Sequence, residues 1–307
     1  MRVIQLLTLI GLQLLVLGTP AHGQVRGMYA PGATLSGGGT VPDPGFSISD
    51  QYWINTAGEL HGPHGRALPI QGTNTVSSNT ITFGYVPRAV PLGAHIDFAV
   101  GLATTNNSFV LIDPLPGGSN QAGAGRGLTN TYVAPLILGW HFDRLDVQTG
   151  YGIYVPTGRY LAGASNNTSS GFWTQQWQTG ATIRFMKTME ISIFNAYLWN
   201  SPQLDTGVRA GQNDSIDYSL SRTFSFRHGG WPLQVGLAGY SQWQVTRNRG
   251  QNPIRESLKY RVDAAGFTFT LATPFKGVFV AGSALWEYGA TNTYQGRTMT
   301  IGTGFAL

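Results

Sequence analysis

Hydrophobic and polar residues alternate along most of the chain with a period of two. The clearest stretch runs from 145 to 155, where apolar or aromatic residues take most odd positions and Asp, Gln or Gly takes most even ones. The same alternation recurs over 172–185, 214–226 and 233–245. Because successive side chains of a strand point to opposite faces, this pattern predicts β-strands with one apolar face and one face of small polar residues.

Extending the alternation along the chain predicts an all-β protein of about twelve strands. They are placed at 46–55, 74–86, 94–103, 128–141, 145–155, 171–185, 190–199, 214–226, 233–245, 257–271, 278–288 and 297–307. Each strand is long enough for the roughly 9–11 residues that cross a bilayer as a tilted strand.

The predicted connections alternate between short and long, from 56–73 and 87–93 to 272–277 and 289–296. Outer-membrane barrels have short periplasmic turns and longer extracellular loops. A secreted β-sandwich or propeller shows the same strand alternation but has no reason to sort its loops by length. The pattern therefore favours a transmembrane antiparallel β-barrel over residues 46–307 and places both termini in the periplasm.

The first residues are predicted to be removed. A positive start at Arg2, an apolar run over 3–17 and small residues at Ala21 and Gly23 are typical of a secretory signal peptide, residues 1–23, cleaved before Gln24. An anchor helix is the alternative, but the run is too short to span. Residues 24–45 are rich in Gly and Pro and are interpreted as a periplasmic N-terminal segment, or as a partial plug if they fold inward.

Composition supports a Gram-negative outer-membrane location. Charged residues make up 11% of the 307 residues, the net charge is +5, and Cys is absent. A disulfide scaffold and a thiolate metal site are thereby excluded. The low charge suits a surface that faces lipid. We expect no metal and no cofactor.

Aromatic residues near the predicted strand ends are candidates for the two interfacial girdles of a membrane barrel. Those near the outer ends are Trp173, Trp243, Trp286 and Tyr288, and those near the inner ends are Trp140 and Trp231.

Charged residues in the polar phase of the strands are the candidates for the lumen. They are His95, Asp97, Asp146, Arg184, Asp217, Lys259, Arg261, Asp263 and Glu287. Such a set of both signs could bias permeation as charged rings do in pores. The alternative is that they pair across strands and close the interior. Arg222, in the apolar phase, is predicted to lie at a bulge or near the inner rim, because a cation facing mid-bilayer is costly.

Several stretches resemble a known family. These are Asp113-Pro114 followed by Tyr132-Val133-Ala134-Pro135, the run from Gly150 to Tyr160, Gly171-Phe172-Trp173, and the run from Gly236 to Tyr240. The sequence is similar here to the phenol-degradation meta-pathway family of bacterial outer-membrane proteins, often labelled transporters. The resemblance implies a barrel that passes aromatic or other apolar compounds.

The predicted function is therefore a passive outer-membrane channel for small apolar or aromatic solutes, not an enzyme. A structural or adhesive barrel is the first alternative, and a lipid-modifying enzyme using His95 or His141 is the second. Arg247, Arg249 and Arg255 are expected in an outer loop, where lipopolysaccharide phosphates are natural partners. Gly123 to Gly127 is predicted as a flexible outer loop. No nucleic-acid partner is expected, and a monomer is favoured.

Overall fold

A computed structural model of the chain describes residues 26–112, 120–225, 231–250, 258–273, 275 and 277–306. The predicted signal peptide, Arg255 and the terminal Leu307 lie outside the described residues. The strands are β1 (Gly45–Leu60), β2 (Gln71–Val86), β3 (His95–Ile112), β4 (Gln121–Leu128), β5 (Thr131–His141), β6 (Leu145–Val155), β7 (Thr174–Phe185), β8 (Met189–Asn200), β9 (Asn213–Ser225), β10 (Pro232–Gln244), β11 (Arg261–Ala272), β12 (Val278–Thr291) and β13 (Tyr294–Ala306).

These strands form a closed antiparallel barrel. Strands consecutive in the chain pair with each other except β4 and β5, which both pair with β3, and the pairing of β1 with β13 closes the ring. Strands β4 and β5 lie end to end on the same edge of β3, β4 against Thr104–Leu111 and β5 against His95–Gly101. The thirteen strands therefore occupy twelve positions, which confirms the predicted twelve-stranded barrel.

The two faces of the barrel wall differ as the alternation predicts. Large apolar side chains such as Leu237 and Phe267 are exposed on the outside, at 60% and 61%. Their neighbours Ala238 and Thr268 point inward and are buried. Within the described residues, no helix is long and apolar enough to cross a membrane.

The barrel has two distinct ends. We call the end where β1 begins and β13 finishes the turn end, since it carries the three-residue connections 142–144 and 186–188. The opposite end is the loop end, with connections at 61–70, 156–173 and 201–212. The last hairpin departs from the predicted alternation, because β12 and β13 extend until only residues 292–293 separate them.

The region between the third and fourth predicted strands is a second correction. Residues 104–127 are predicted as one long loop, yet β3 continues to Ile112 and the glycine-rich stretch lies in β4. Glycine is required at such positions because neighbouring groups fill the space that a side chain would take. A Cβ atom at Gly123 would lie 2.5 Å from the Phe109 ring and 2.6 Å from the carbonyl oxygen of Ser165.

Arg222 lies near the turn end of β9, as one of the two predicted alternatives requires. Its pairing with β8 and β10 shows no register shift. The guanidinium carbon sits 5.2 Å from the ring centroid of Phe224, so the cation stacks on an aromatic face near the rim.

Candidate functional site: the barrel lumen

A segment of the chain before the first strand crosses the lumen. We call residues 26–44 the lumen segment. Its Gly32 backbone N–H donates to the Asp217 carboxylate on β9 at 2.9 Å. Its Ala33 carbonyl oxygen accepts from Gln51 Nε2 on β1, at 3.1 Å, on the far side of the ring. The prediction of a periplasmic segment is therefore wrong for residues 26–44, and the inward alternative describes them.

The lumen segment runs from the loop end to the turn end. Arg26 Nε donates to Thr293 Oγ1 at 3.1 Å, in the turn between β12 and β13 at the loop end. Thr40 Oγ1 donates to Asp146 at 2.8 Å, close to the start of β6 at the turn end. The described chain therefore begins at the loop end with Arg26 and finishes at the turn end with Ala306. The periplasmic location of both termini stays a prediction.

Asp217 is the central anchor of the lumen segment. The carboxylate is fully buried and accepts from the Tyr29 hydroxyl at 2.7 Å and from the backbone N–H groups of Gly32 and Thr34. The Tyr29 phenol is the donor in this contact, because an ionised carboxylate only accepts hydrogen bonds. Several donors on one carboxylate offset the cost of removing it from water.

Glu287 anchors the beginning of the lumen segment. It forms an ion pair with Arg26 at 2.8 Å and accepts from the Tyr240 hydroxyl at 2.6 Å and from Asn55 Nδ2 at 2.9 Å. The backbone N–H of Gly296 donates to its second oxygen at 2.7 Å. This charge is therefore neutralised and fully hydrogen-bonded, not directed at passing solutes.

Asp146 anchors the other end. Besides Thr40, it binds Arg184 across to β7 and His141 Nδ1 at 3.0 Å. The His141 ring lies 5.1 Å from the His95 ring in an edge-on arrangement. Asp97 lies one inward position beyond His95, half-buried. Asp146, Arg184 and His141 therefore point inward and also pair across strands. His95 Nδ1 and Asp97 Oδ1 point inward too, but they are buried without a hydrogen-bond partner among the described residues.

Close backbone contact fixes the lumen segment near Gly39. A Cβ atom there would lie 2.4 Å from the Asp146 carbonyl oxygen, and one at Gly180 would lie 1.7 Å from the Gly38 carbonyl oxygen. Neither position has room for a side chain. The sequence marked Gly38 and Gly39 only as part of an irregular stretch and Gly180 as a polar-face position of a predicted strand.

Three of the predicted lumen residues face the other way. Arg261 and Asp263 form an ion pair at 3.0 Å on the outer wall, and Ser241 donates to Asp263 there. Lys259 precedes the strand, is exposed and donates to the Val245 carbonyl oxygen. The inward residues are instead Val262 and Ala264, which are buried against Leu35, Tyr240 and Leu285.

The physical reason for this error is that the lumen segment offers an apolar surface. Val262 and Ala264 are buried in an apolar cluster with Leu35. From sequence, apolar residues in a barrel strand are predicted to face lipid, so these two were predicted to face outward. From Ala265 onward the outward phase of β11 is apolar, with Phe267 and Phe269 exposed. The sequence offered an inward position for residues 24–45 as an alternative, but it carried no signal for the strands that the lumen segment contacts.

The predicted interfacial aromatics lie at the two ends of the strands. Trp173, Trp286 and Tyr288 are exposed near the loop end, and Trp231 is exposed near the turn end. Trp243 is half-buried at the loop end of β10. Trp140 is also half-buried, and its Nε1 lies 3.3 Å from the Leu92 carbonyl oxygen. Their contact with lipid headgroups stays a prediction.

A cavity of about 2620 Å³ remains between the lumen segment and the barrel wall. Its lining reaches Thr270, Phe279 and Thr303 at the turn end, and Leu68 and Phe109 at the loop end. This volume exceeds the roughly 300–1,000 Å³ of a pocket for one small ligand. The cavity therefore extends along the lumen as a passage does.

The middle of this passage is polar but uncharged. Its wall carries hydroxyl and amide side chains from adjacent strands, namely Gln51, Ser78, Thr80, Thr82, Thr105, Thr268 and Thr300. Some hydroxyls are already engaged by the wall, because Thr105 donates to the Ser77 carbonyl oxygen and Thr268 to that of Gly282. Such hydroxyls satisfy their own hydrogen bonds without a solute, which leaves the passage compatible with weakly polar molecules.

The fold is similar to solved outer-membrane β-barrels. The COG4313 outer membrane channel from Pseudomonas putida F1 aligns with a TM-score of 0.66 and 11% identity, over 91% of this chain and 100% of that chain. The β domain of the Bordetella autotransporter Brka aligns with a TM-score of 0.55 and 14% identity, over 86% and 100%. At these identities the likeness shows the fold alone. No curated protein matches the chain.

The closed barrel with its long internal cavity defines a β-barrel protein of the outer membrane. The chain belongs to the family described as "Putative MetA-pathway of phenol degradation", whose model matches residues 36–301. This match confirms the resemblance seen in the sequence.

Proposed function

We propose that this protein is a passive channel that lets small, neutral apolar or aromatic solutes cross the outer membrane. In this proposal the turn end faces the periplasm, the loop end faces outward, and the barrel acts as a monomer in contact with lipopolysaccharide. Short turns on one end and longer loops on the other support the orientation.

The observation that carries the proposal is the passage beside the lumen segment. Its lining residues come from both ends of the barrel, and its middle wall is neutral over four neighbouring strands, where Gly302, Gln51, Thr80 and Ala103 are in register. An ion beside such a neutral wall loses part of its hydration without gaining a counter-charge. A neutral molecule has no charge to desolvate, so its cost of entry is smaller. The passage therefore favours neutral solutes.

The charged residues bordering the passage do not alter this preference. Among the described residues, Arg26 and Arg184 are engaged in ion pairs, and Glu190 accepts from the backbone of Gly37. Asp50 lies in the outward phase of β1 with the exposed Ile48 and Tyr52, and it accepts from Asn79 Nδ2 at 2.9 Å. The three inward groups are therefore engaged by the protein, and the carboxylate of Asp50 faces away from the passage.

Swelling of proteoliposomes in two matched solutes tests the proposal. Phenyl β-glucoside and phenyl β-glucuronide have the same size and ring but differ by one carboxylate, and neither crosses lipid quickly. We expect the glucoside to enter several times faster than the glucuronide. Entry of neither would refute an aromatic channel, and equal entry would refute the preference for neutral solutes.

The lipid-modifying alternative has less support. Among the described residues, the ring contact of His95 is with His141, and His141 pairs with Asp146, which also binds Arg184 and Thr40 of the lumen segment. The contacts of Asp146 join the barrel wall to the lumen segment. An adhesive barrel would use the loop-end surface, part of which lies outside the described residues.

A further inference from the structure

The loop end of the passage differs from its middle. Apolar side chains line it from three directions: Leu60 at the end of β1, Leu68 and Ile70 in the loop 61–70, Val76 on β2, and Phe109 and Leu111 on β3. We call these six residues the vestibule. All six are half-buried, while Val110 and Ile112 on the same strand face outward and are exposed.

The vestibule is held in place by hydrogen bonds of the surrounding backbone. The loop 61–70 is closed by the Leu68 N–H donating to the Leu60 carbonyl oxygen at 2.8 Å. It is joined to the β12–β13 turn by the His61 N–H, which donates to the Thr293 carbonyl oxygen at 3.0 Å. A preformed apolar surface binds a ligand without first paying for the ordering of a loop.

Gln121, which lies beside the vestibule, has a side-chain oxygen without a hydrogen-bond partner in the part of the chain that the structure describes. Gln121 pairs with Leu111 in the β3–β4 ladder and lines the same passage. Its side-chain Oε1 is buried and lacks a hydrogen-bond partner among the described residues. A buried acceptor without a donor is costly, so a ligand that supplies a hydroxyl donor there would gain affinity.

We propose that the vestibule is a capture site for an aromatic ring carrying a hydroxyl group, which enters before the solute moves along the passage. The ring packs on Phe109 and Leu111, and the hydroxyl donates to Gln121 Oε1. Membrane lipid is excluded as the occupant of the ring site, because Phe109 and Leu111 line the passage while their neighbours Val110 and Ile112 face outward. The site rests on the channel proposed above and names the chemistry it prefers.

Binding to the protein in lipid nanodiscs tests the site. The probes are 4-hydroxyphenyl β-glucoside and phenyl β-glucoside, which differ by one hydroxyl on the ring, with methyl β-glucoside as the ring-free reference. Saturation-transfer NMR titrations give the affinities. We expect the hydroxylated probe to bind about fivefold more tightly than the phenyl probe, and the methyl probe to show no saturable binding.

Variants separate the two contacts. Gln121→Leu should abolish the preference for the hydroxylated probe while keeping the phenyl probe bound. Leu111→Asn should weaken both aromatic probes several-fold. Val110→Asn changes an adjacent side chain that faces outward, so it should leave all three affinities unchanged and also controls for folding.

The outcomes distinguish the site from the channel. If wild-type protein admits phenyl glucoside in swelling assays but binds the probes without saturation, or if Val110→Asn and Leu111→Asn behave alike, the capture site is refuted and the channel stands. If neither glucoside enters wild-type proteoliposomes, the proposed function itself fails. A preference for the hydroxylated probe that survives Gln121→Leu would refute the role of Gln121.

Discussion

At the scale of single residues, the buried carboxylates organise the interior by holding the lumen segment. Asp217 receives donors from Tyr29, Gly32 and Thr34, which lie in a stretch without regular strand. A hydroxyl or N–H that loses such an acceptor in a buried site costs about 1–3 kcal/mol. One side chain therefore decides a large part of how firmly the segment docks.

We expect Asp217→Ala to loosen the lumen segment and enlarge the passage. Ion currents through single barrels in planar bilayers should become larger and noisier than those of the wild type. Asp263→Ala is the matched control, because that carboxylate faces outward and binds only Arg261 and Ser241. Currents of Asp217→Ala that equal those of the control would contradict the anchoring role.

Residue identity could be predicted where charge and alternation agree. Asp146, Arg184, Asp217 and Glu287 all point inward as predicted from the polar phase of their strands. Their partners could not be predicted, because the lumen segment has no periodicity that places it against any strand. Arg261 and Asp263 were misplaced for the same reason.

At the scale of elements, strand β11 shows how two environments act on one strand. Its first inward residues, Val262 and Ala264, pack on the lumen segment, and its later outward residues, Phe267 and Phe269, face outside. The apolar phase therefore switches within the strand. If all apolar residues of β11 faced the same side, the inward and outward faces of the strand would have been predicted correctly from the sequence.

The outward assignment of β11 predicts a lipid-exposure effect. Phe267→Arg places a cation on the outer wall near the middle of the strand, where it should destabilise the barrel by about 2–4 kcal/mol in a bilayer. Thr270→Arg, facing the passage on the same strand, should cost clearly less. Guanidinium unfolding in lipid vesicles measures both, and equal costs would mean that the faces are assigned wrongly.

At the scale of the whole molecule, ring closure and the lumen segment act together. Pairing of β2 with β3 removes the free edges that an open sheet would expose in lipid. The lumen segment then fills one side of the lumen and leaves the passage along β1, β2, β3 and β11–β13. The barrel is therefore neither a filled cylinder nor a wide aqueous pore.

Orientation in the membrane can be tested with single cysteines, since the chain has none of its own. Asp205→Cys lies in the loop 201–212 at the loop end, and Lys187→Cys lies in the turn 186–188 at the turn end. A bulky, membrane-impermeant maleimide added to intact cells should label only Asp205→Cys. Lys187→Cys should react after the outer membrane is permeabilised, and the reverse pattern would overturn the proposed orientation.

The class of fold could be predicted from the alternation, because a period of two over strands of bilayer length has few structural solutions and closure follows from the need to satisfy backbone groups in lipid. Most inward residues could be predicted in the same way. What occupies the lumen depends on the packing of distant parts of the chain. Alternation records that a side chain leaves the wall on one side, but whether it then meets lipid, water or another segment of the chain depends on contacts between residues far apart in sequence, such as Arg26 with Glu287 or Leu35 with Val262.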